Sequence, residues 1–145
     1  MSKIILVTGG FDPLHGGHIR YFREAKAIDP DIPLCVGINS DEWLIRKKGK
    51  FFMTFDERKE VISELKSVDL VMPFDDKDDS ANDLISTLLE IYDTVIFANG
   101  GDRHNENAPE FNKFENNPRV EFKWAMGGTE KYNSSTYILK RWDNS

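Results

Sequence analysis

The sequence predicts an α/β protein with an open, doubly wound parallel sheet and helices on both faces. Three observations carry that expectation. Short apolar, β-branched runs alternate with stretches whose apolar residues recur at helical spacing, and strands separated by helices pair in parallel because a parallel connection needs a crossover. The apolar residues of the runs are consecutive rather than alternate, as strands buried on both faces require. The first run also ends in glycines that open directly into a helix.

The elements follow in order. Ile4, Ile5, Leu6 and Val7 form the first strand, ending in Thr8-Gly9-Gly10. From 16 to 27, Ile19, Phe22 and Ala25 keep helical spacing, with Ile28 at the end, and Asp29-Pro30 stops the helix. A second strand covers 34–38 and a short helix 41–46, followed by a basic loop, Arg46-Lys47-Lys48-Gly49-Lys50. Thr54 and Glu57 form a capping box opening a helix that turns Val61, Ile62 and Leu65 inward. Leu70 to Met72 is the third strand. Asp75-Asp76-Lys77-Asp78-Asp79 reads as a solvated acidic turn without calcium-loop spacing. Ser80 with Asp83 caps a helix to about 92, and 94–98 and 120–124 are the fourth and fifth strands. Between those two strands, 105–118 is rich in Asn and Pro and reads as irregular, a functional or a mobile loop. A last helix begins near Ser134-Ser135-Thr136 and runs to 142. The whole is Rossmann-like, with five parallel strands.

The length of 145 residues is that of one domain, 1–145, able to bury a core. Hydrophobic residues are 39% and charged residues 30%, as in an ordinary globular protein. A net charge of −6 argues against general nucleic-acid binding. No apolar run reaches the roughly 18 residues of a membrane span, and the start of the chain reads as a strand rather than a signal segment. The expected location is the cytoplasm. The single cysteine, Cys35, sits in an apolar run and is expected to be a packed core thiol. Trp43, Trp124 and Trp142 are expected to pack within the chain, a homodimer interface being the other reading.

In doubly wound sheets ligands bind beyond the carboxyl ends of the strands, so the loops after Val7, Ile38, Ala98 and Trp124 should converge on one crevice. The first of them carries the chemistry. Gly9 and Gly10 allow close approach of backbone to a phosphate, and the helix that follows points its amides at the same place. His15 and His18, three apart, can share one helix face. Gly16 and Gly17 weaken that helix, which makes sense where a ligand must come close. Two imidazoles with an array of amides suit a phosphate whose charge grows in a transition state. The plainer reading is a glycine-rich turn with surface histidines. His104 is expected at the surface.

Gly10-Phe11-Asp12-Pro13-Leu14-His15-Gly16-Gly17-His18 resembles the G-x-F-D-x-x-H-x-G-H signature of the cytidylyltransferase-like nucleotidyltransferases. Class I aminoacyl-tRNA synthetases share the HxGH element, but this chain is far shorter. The resemblance extends along the chain. Gly37-Ile38-Asn39-Ser40-Asp41 is similar to the family's second-strand loop, and Lys48-Gly49-Lys50 with Phe55-Asp56-Glu57-Arg58 to its basic loop and E-R helix start. Asn99-Gly100-Gly101-Asp102-Arg103 is similar to its G-G-D element and Asn133-Ser134-Ser135-Thr136 to its C-terminal S-T motif.

The resemblance implies in-line transfer of a nucleotidyl group from a nucleoside triphosphate, with Mg2+, to a small phosphorylated acceptor. It implies His15, His18 and Lys48 as catalytic residues. Gly9, Gly10, Phe11, Asp12, Gly17, Arg46, Lys50, Gly101, Asp102, Ser134, Ser135 and Thr136 would bind the nucleotide, and no dedicated protein metal site is implied. Each cation of the basic loop is equally readable as a solvated side chain. Asp102 either contacts the nucleotide or shapes its turn, Asp12 either orients a metal-bound water or holds its loop, and Ser134 can cap a helix as well as bind.

Two departures bear on the substrate. Residues 127–134 lack the Arg that polyol-phosphate cytidylyltransferases carry before the last motif, and Gly101 stands where those enzymes have Asp. The G-G-D form and the run Gly49-Lys50-Phe51-Phe52-Met53 are more similar to the adenylyltransferase domain acting on heptose 1-phosphate. The lean is to ATP and a phosphosugar, with CTP and a phosphorylated polyol as the alternative. A non-catalytic nucleotide-binding regulatory module is the alternative of another class, against which the intact histidine pair argues.

Overall fold

The apolar runs assemble as the alternation requires. In a computed structural model that describes residues 2–101, 103–127 and 135–143, the elements are β1 (Lys3–Gly9), α1 (Gly16–Lys26), β2 (Leu34–Ile38), α2 (Asp41–Lys48), α3 (Phe55–Ser63), β3 (Leu70–Met72), α4 (Asn82–Ile91), β4 (Thr94–Gly100), α5 (Pro109–Phe114), β5 (Val120–Met126) and α6 (Ser135–Asp143). The strands form one parallel sheet in the order β3-β2-β1-β4-β5. The chain moves outward from β1 to β3 and returns to pair β4 on β1's other side. The direction of winding therefore reverses between β1 and β4, which is where such sheets open a crevice.

Alternate residues of each strand face opposite layers. Ile4, Leu6, Cys35, Val95 and Phe97 pack with Leu84, Ile85 and Leu88 of α4 and Phe114 of α5. Ile5, Val7, Val36, Ile38, Ile96 and Ala98 pack with Phe22 and Ala25 of α1 and Ile62 of α3. Cys35 is fully buried and its thiol is pushed up to about 12 by that burial, so it is an inert core group.

Several elements differ from their sequence-based expectation. Residues 46–48 close α2 rather than forming a loop, and the helix ends at Gly49 with φ 85°. The basic side chains there compensate the helix C-terminus. On α3 the inward stripe is Arg58 and Ile62, while Val61 faces out; a residue beside Ile62 lies about 100° around the helix. Ser80 does not cap α4. The N-cap is Ala81 without a side-chain bond, and Ser80 Oγ accepts the Asn82 amide from just outside. Residues 109–114 within the expected irregular stretch are helical, started by Pro109 at the first turn. Trp43 and Trp124 are half-buried, the latter stacked on Phe122, whereas Trp142 is 76% exposed.

The acidic turn is the largest correction. Asp76 is buried, and its carboxylate accepts from Asn39 Nδ2, Ser40 N and Ser40 Oγ at 2.8–3.1 Å. It joins the turn after β3 to the start of α2. Arg46 approaches the same turn, donating to the Asp76 carbonyl at 2.7 Å and to Asp79 at 3.1 Å.

Gly37 is a point of close approach between sheet and helix. A Cβ there would lie 2.5 Å from Leu84 Cδ2 and 3.1 Å from Thr8 Cγ2, and Leu84 is itself buried. Gly37→Ala should therefore destabilise the fold by roughly 1–3 kcal/mol through overpacking, read as a lower urea midpoint with an unchanged slope. An unshifted midpoint would mean that Leu84 moves aside freely.

Candidate functional site

The site begins where β1 stops. Gly9 ends the strand, its carbonyl accepting the Asn39 amide that follows β2. The chain then turns through Phe11, a buried residue held at φ 52°, into a cis Asp12-Pro13 peptide. A non-glycine residue at positive φ persists only where its surroundings hold it. Here the Phe11 ring packs edge-on against Phe22 and His18.

The head of α1 is capped by the histidines themselves. Nδ1 of His15 accepts the Gly17 amide at 3.0 Å, and Nδ1 of His18 accepts the His15 amide at 3.2 Å. This is the reciprocal arrangement of a capping box, made from imidazoles in place of Ser/Thr and Glu. The two rings lie 3.9 Å apart between centroids. Gly17 is required for this, since a Cβ there would stand 2.8 Å from His15 Cε1.

The capping sets the chemistry. A neutral imidazole whose Nδ1 accepts a bond carries its proton on Nε2, so both rings keep an N–H to give to a ligand. Burial, then the neighbouring His15 and the Lys48 ammonium, pull His18 down to about 3, and burial also lowers His15. At neutral pH the pair is uncharged and donating.

Two buried ionic groups frame this loop: Arg58, which the motifs did not mark as a site residue, and Asp12, which they did. Arg58 is 1% exposed. Its guanidinium donates to the carbonyls of Gly10, Asn39 and Met53 at 2.7–3.0 Å, and to Asp41 at 2.7 Å. Asp12 is buried as well, its carboxylate accepting the amides of Phe52 and Met53, each at 2.6 Å. Together they bind the segment after α2 to the loop after β1. The only sequence signal for Arg58 is its place in the E-R helix start; its position within a run of charged residues, Asp56 to Glu60, hides the burial.

A crevice of about 250 Å³ opens between the ends of β1 and β4, lined by Thr8, Gly9, Gly10, Phe11, His18, Tyr21, Asn99, Gly100 and Arg103. Tyr21 donates its hydroxyl to the Ala98 carbonyl, and burial raises its pKa. Of the expected site residues, Gly9, Gly10, Phe11 and His18 line this crevice, and His15 caps beside it. Lys48 is exposed yet near enough to His18 to act on its charge. Lys50 is exposed, and Arg46 is turned to the acidic turn. Gly101 follows β4 at φ 28°. Ser135 Oγ donates to the Pro13 carbonyl at 2.7 Å, docking the start of α6 on the loop, and Thr136 beside it is exposed. Asp102 and Ser134 lie outside the described residues. His104 is exposed.

Comparison with known proteins adds the following. The model of the family described as cytidylyltransferase-like matches residues 6–141. The bifunctional protein HldE of Sulfurimonas denitrificans is 36% identical over 103 residues, 70% of this chain and 20% of that protein. HldE of Wolinella succinogenes is 40% identical over 77 residues, 52% of this chain and 16% of that protein. The chain thus spans about a fifth of the length of these curated relatives. Among solved structures, a lipopolysaccharide core biosynthesis protein from Thermoplasma volcanium is similar at TM-score 0.64 and 30% identity, over 92% of this chain and 99% of that one. A nicotinate-nucleotide adenylyltransferase candidate from Vibrio parahaemolyticus shares the fold at TM-score 0.65 and 15% identity, over 99% of this chain and 88% of that one.

The depressed His18 makes stability depend on pH. Between about 3 and 6.5 the unfolded chain binds a proton on this ring that the folded protein refuses. Its contribution is fully present above 6.5 and is lost as pH falls toward 3, by up to about 1.4 kcal/mol per pH unit. Urea unfolding from pH 7 to 4.5 should show wild type losing stability faster than His18→Asn, whose amide oxygen can replace Nδ1 as acceptor. Parallel curves would show that the folded ring takes up its proton normally.

Proposed function

The chain belongs to the cytidylyltransferase-like family, and from that premise we propose that it is a nucleotidyltransferase. In this reading it joins the nucleoside monophosphate of a triphosphate, ATP by preference, to a phosphorylated sugar or polyol. The observation that carries the proposal is the imidazole pair at the head of α1, uncharged, with each Nδ1 engaged and each Nε2–H left to donate.

An acceptor phosphate oxygen attacks the α-phosphorus in line. The new P–O bond forms as the bond to the bridging oxygen breaks, and pyrophosphate carries away the electron pair. No protein nucleophile is needed; alignment and charge stabilisation supply the rate. His15 and His18 donate to the phosphate oxygens on which charge accumulates, and they do so from fixed positions, so no reorganisation is needed during transfer. The amides at the start of α1 and the hydroxyls of Ser134, Ser135 and Thr136 add dipoles. Lys48 and Lys50 supply positive charge from the end of α2.

Among the described residues no group of three or more His, Cys, Asp or Glu side chains stands together as a metal site, and Asp12 is engaged by two amides. Among the described residues the donor set does not fit a protein-held metal. Magnesium is assigned to the triphosphate as part of the substrate.

The lean to ATP and a sugar phosphate rests on the Gly100-Gly101-Asp102 form and on the relative described as a lipopolysaccharide core biosynthesis protein. We place the protein in the cytoplasm, as one nucleotidyltransferase domain over 1–145, with a homodimer as the assembly to test. Among the described residues no helix is long and apolar enough to cross a membrane. The proposed ligands are small, with no role for nucleic acid.

Thermal melting with equal ATP or CTP should show the larger rise for ATP, and pyrophosphate release should appear when sugar phosphates are added. His18→Ala should lower turnover by about 10²–10³-fold, the usual loss for one transition-state donor. Undiminished turnover would remove the histidines from the mechanism.

A further inference from the structure

The histidine pair is uncharged, and Lys48 and Lys50 are not among the residues lining the crevice, so a phosphate held within it needs positive charge from the wall itself. Three of the described arginines are engaged elsewhere: Arg58 is enclosed by three carbonyls and Asp41, Arg46 is drawn to Asp76 and Asp79, and Arg119 donates to the carbonyls of Leu89, Tyr92 and Asp93. Arg103, in contrast, forms part of the crevice wall together with His18, Tyr21 and Asn99. Its side chain is about one-third exposed, at 34%.

The guanidinium is held from behind. One of its nitrogens bonds Oε1 of Glu110, a carboxylate 2% exposed whose Oε2 accepts the Ala81 amide at 2.7 Å. Glu110 thus anchors Arg103 to the head of α4. Arg103 Nε is shielded from solvent and lacks a hydrogen-bond partner among the described residues. A planar guanidinium fixed on one side by a buried carboxylate and partly exposed to the crevice is suited to grip a phosphate on the other.

We propose that Arg103 is a phosphate-binding residue of the β1–β4 crevice, oriented by Glu110. The inference rests on the nucleotidyltransferase reading and adds to it the cation of the crevice wall. The phosphate belongs either to the triphosphate or to the acceptor, and the two are separable by probe.

Inorganic tripolyphosphate and orthophosphate are titrated into wild type, Arg103→Lys and the double variant Arg103→Met/Glu110→Gln. The double variant removes the buried carboxylate charge with its partner, and cooperative melting checks that it folds. Affinity for one anion should fall roughly ten- to a hundredfold in the double variant, with Arg103→Lys in between because it keeps charge without the fork. A loss for tripolyphosphate assigns Arg103 to the nucleotide; a loss confined to orthophosphate assigns it to the acceptor. Unchanged affinity for both anions in a cooperatively melting variant overturns the proposal and leaves the nucleotidyltransferase reading standing. A wild type that binds neither ATP, CTP nor tripolyphosphate overturns that reading instead.

Discussion

The site depends on two buried charges that meet the backbone of three connections. Arg58 reaches from α3 to the carbonyls of Gly10, Asn39 and Met53, while Asp12 reaches from the loop after β1 to the amides of Phe52 and Met53. A buried charge is tolerable only when nearly all its hydrogen-bonding capacity is met. These two satisfy that condition by engaging backbone groups from three separate connections. The loops at the ends of β1 and β2 and the segment after α2 are thereby held as one body. Rigid placement is what a reaction relying on alignment and fixed dipoles demands.

The helix head shows economy of a related kind. The first amides of any helix need acceptors, and Ser or Asp usually provides them. In α1 the two imidazoles do so through Nδ1. That choice fixes the ring orientation and the tautomer together, leaving Nε2–H outward. Helix capping and the proposed ligand binding then call for one arrangement of atoms rather than competing ones, and Gly17 is the residue that makes room for it.

Charged residues that look alike in sequence separate sharply in space. Asp76 is buried and shapes the start of α2, while Asp79 is exposed. Arg46 and Lys48 share the last turn of α2, yet Arg46 bonds the acidic turn and Lys48 acts on His18. Side chains two apart on a helix point in different directions. The segment is therefore divided between supporting the fold and charging the site, which a reading of it as a uniform basic loop could not reveal.

By itself the sequence determined the succession of strands and helices and the parallel sheet, and it singled out the loop from Gly9 to His18 as the candidate for phosphate chemistry. Those properties are local: apolar runs, helical spacing, and glycines and histidines within ten residues. Tertiary structure decided what is non-local. Arg58 meets Gly10 across 48 positions, Asp12 meets Phe52 across 40, and Asn39 meets Asp76 across 37. No periodicity encodes such pairings; they exist only once the sheet has brought the carboxyl ends of its strands together. The loop that opens the chain thus carried its chemical identity in its own residues, while its shape came from partners far along the chain.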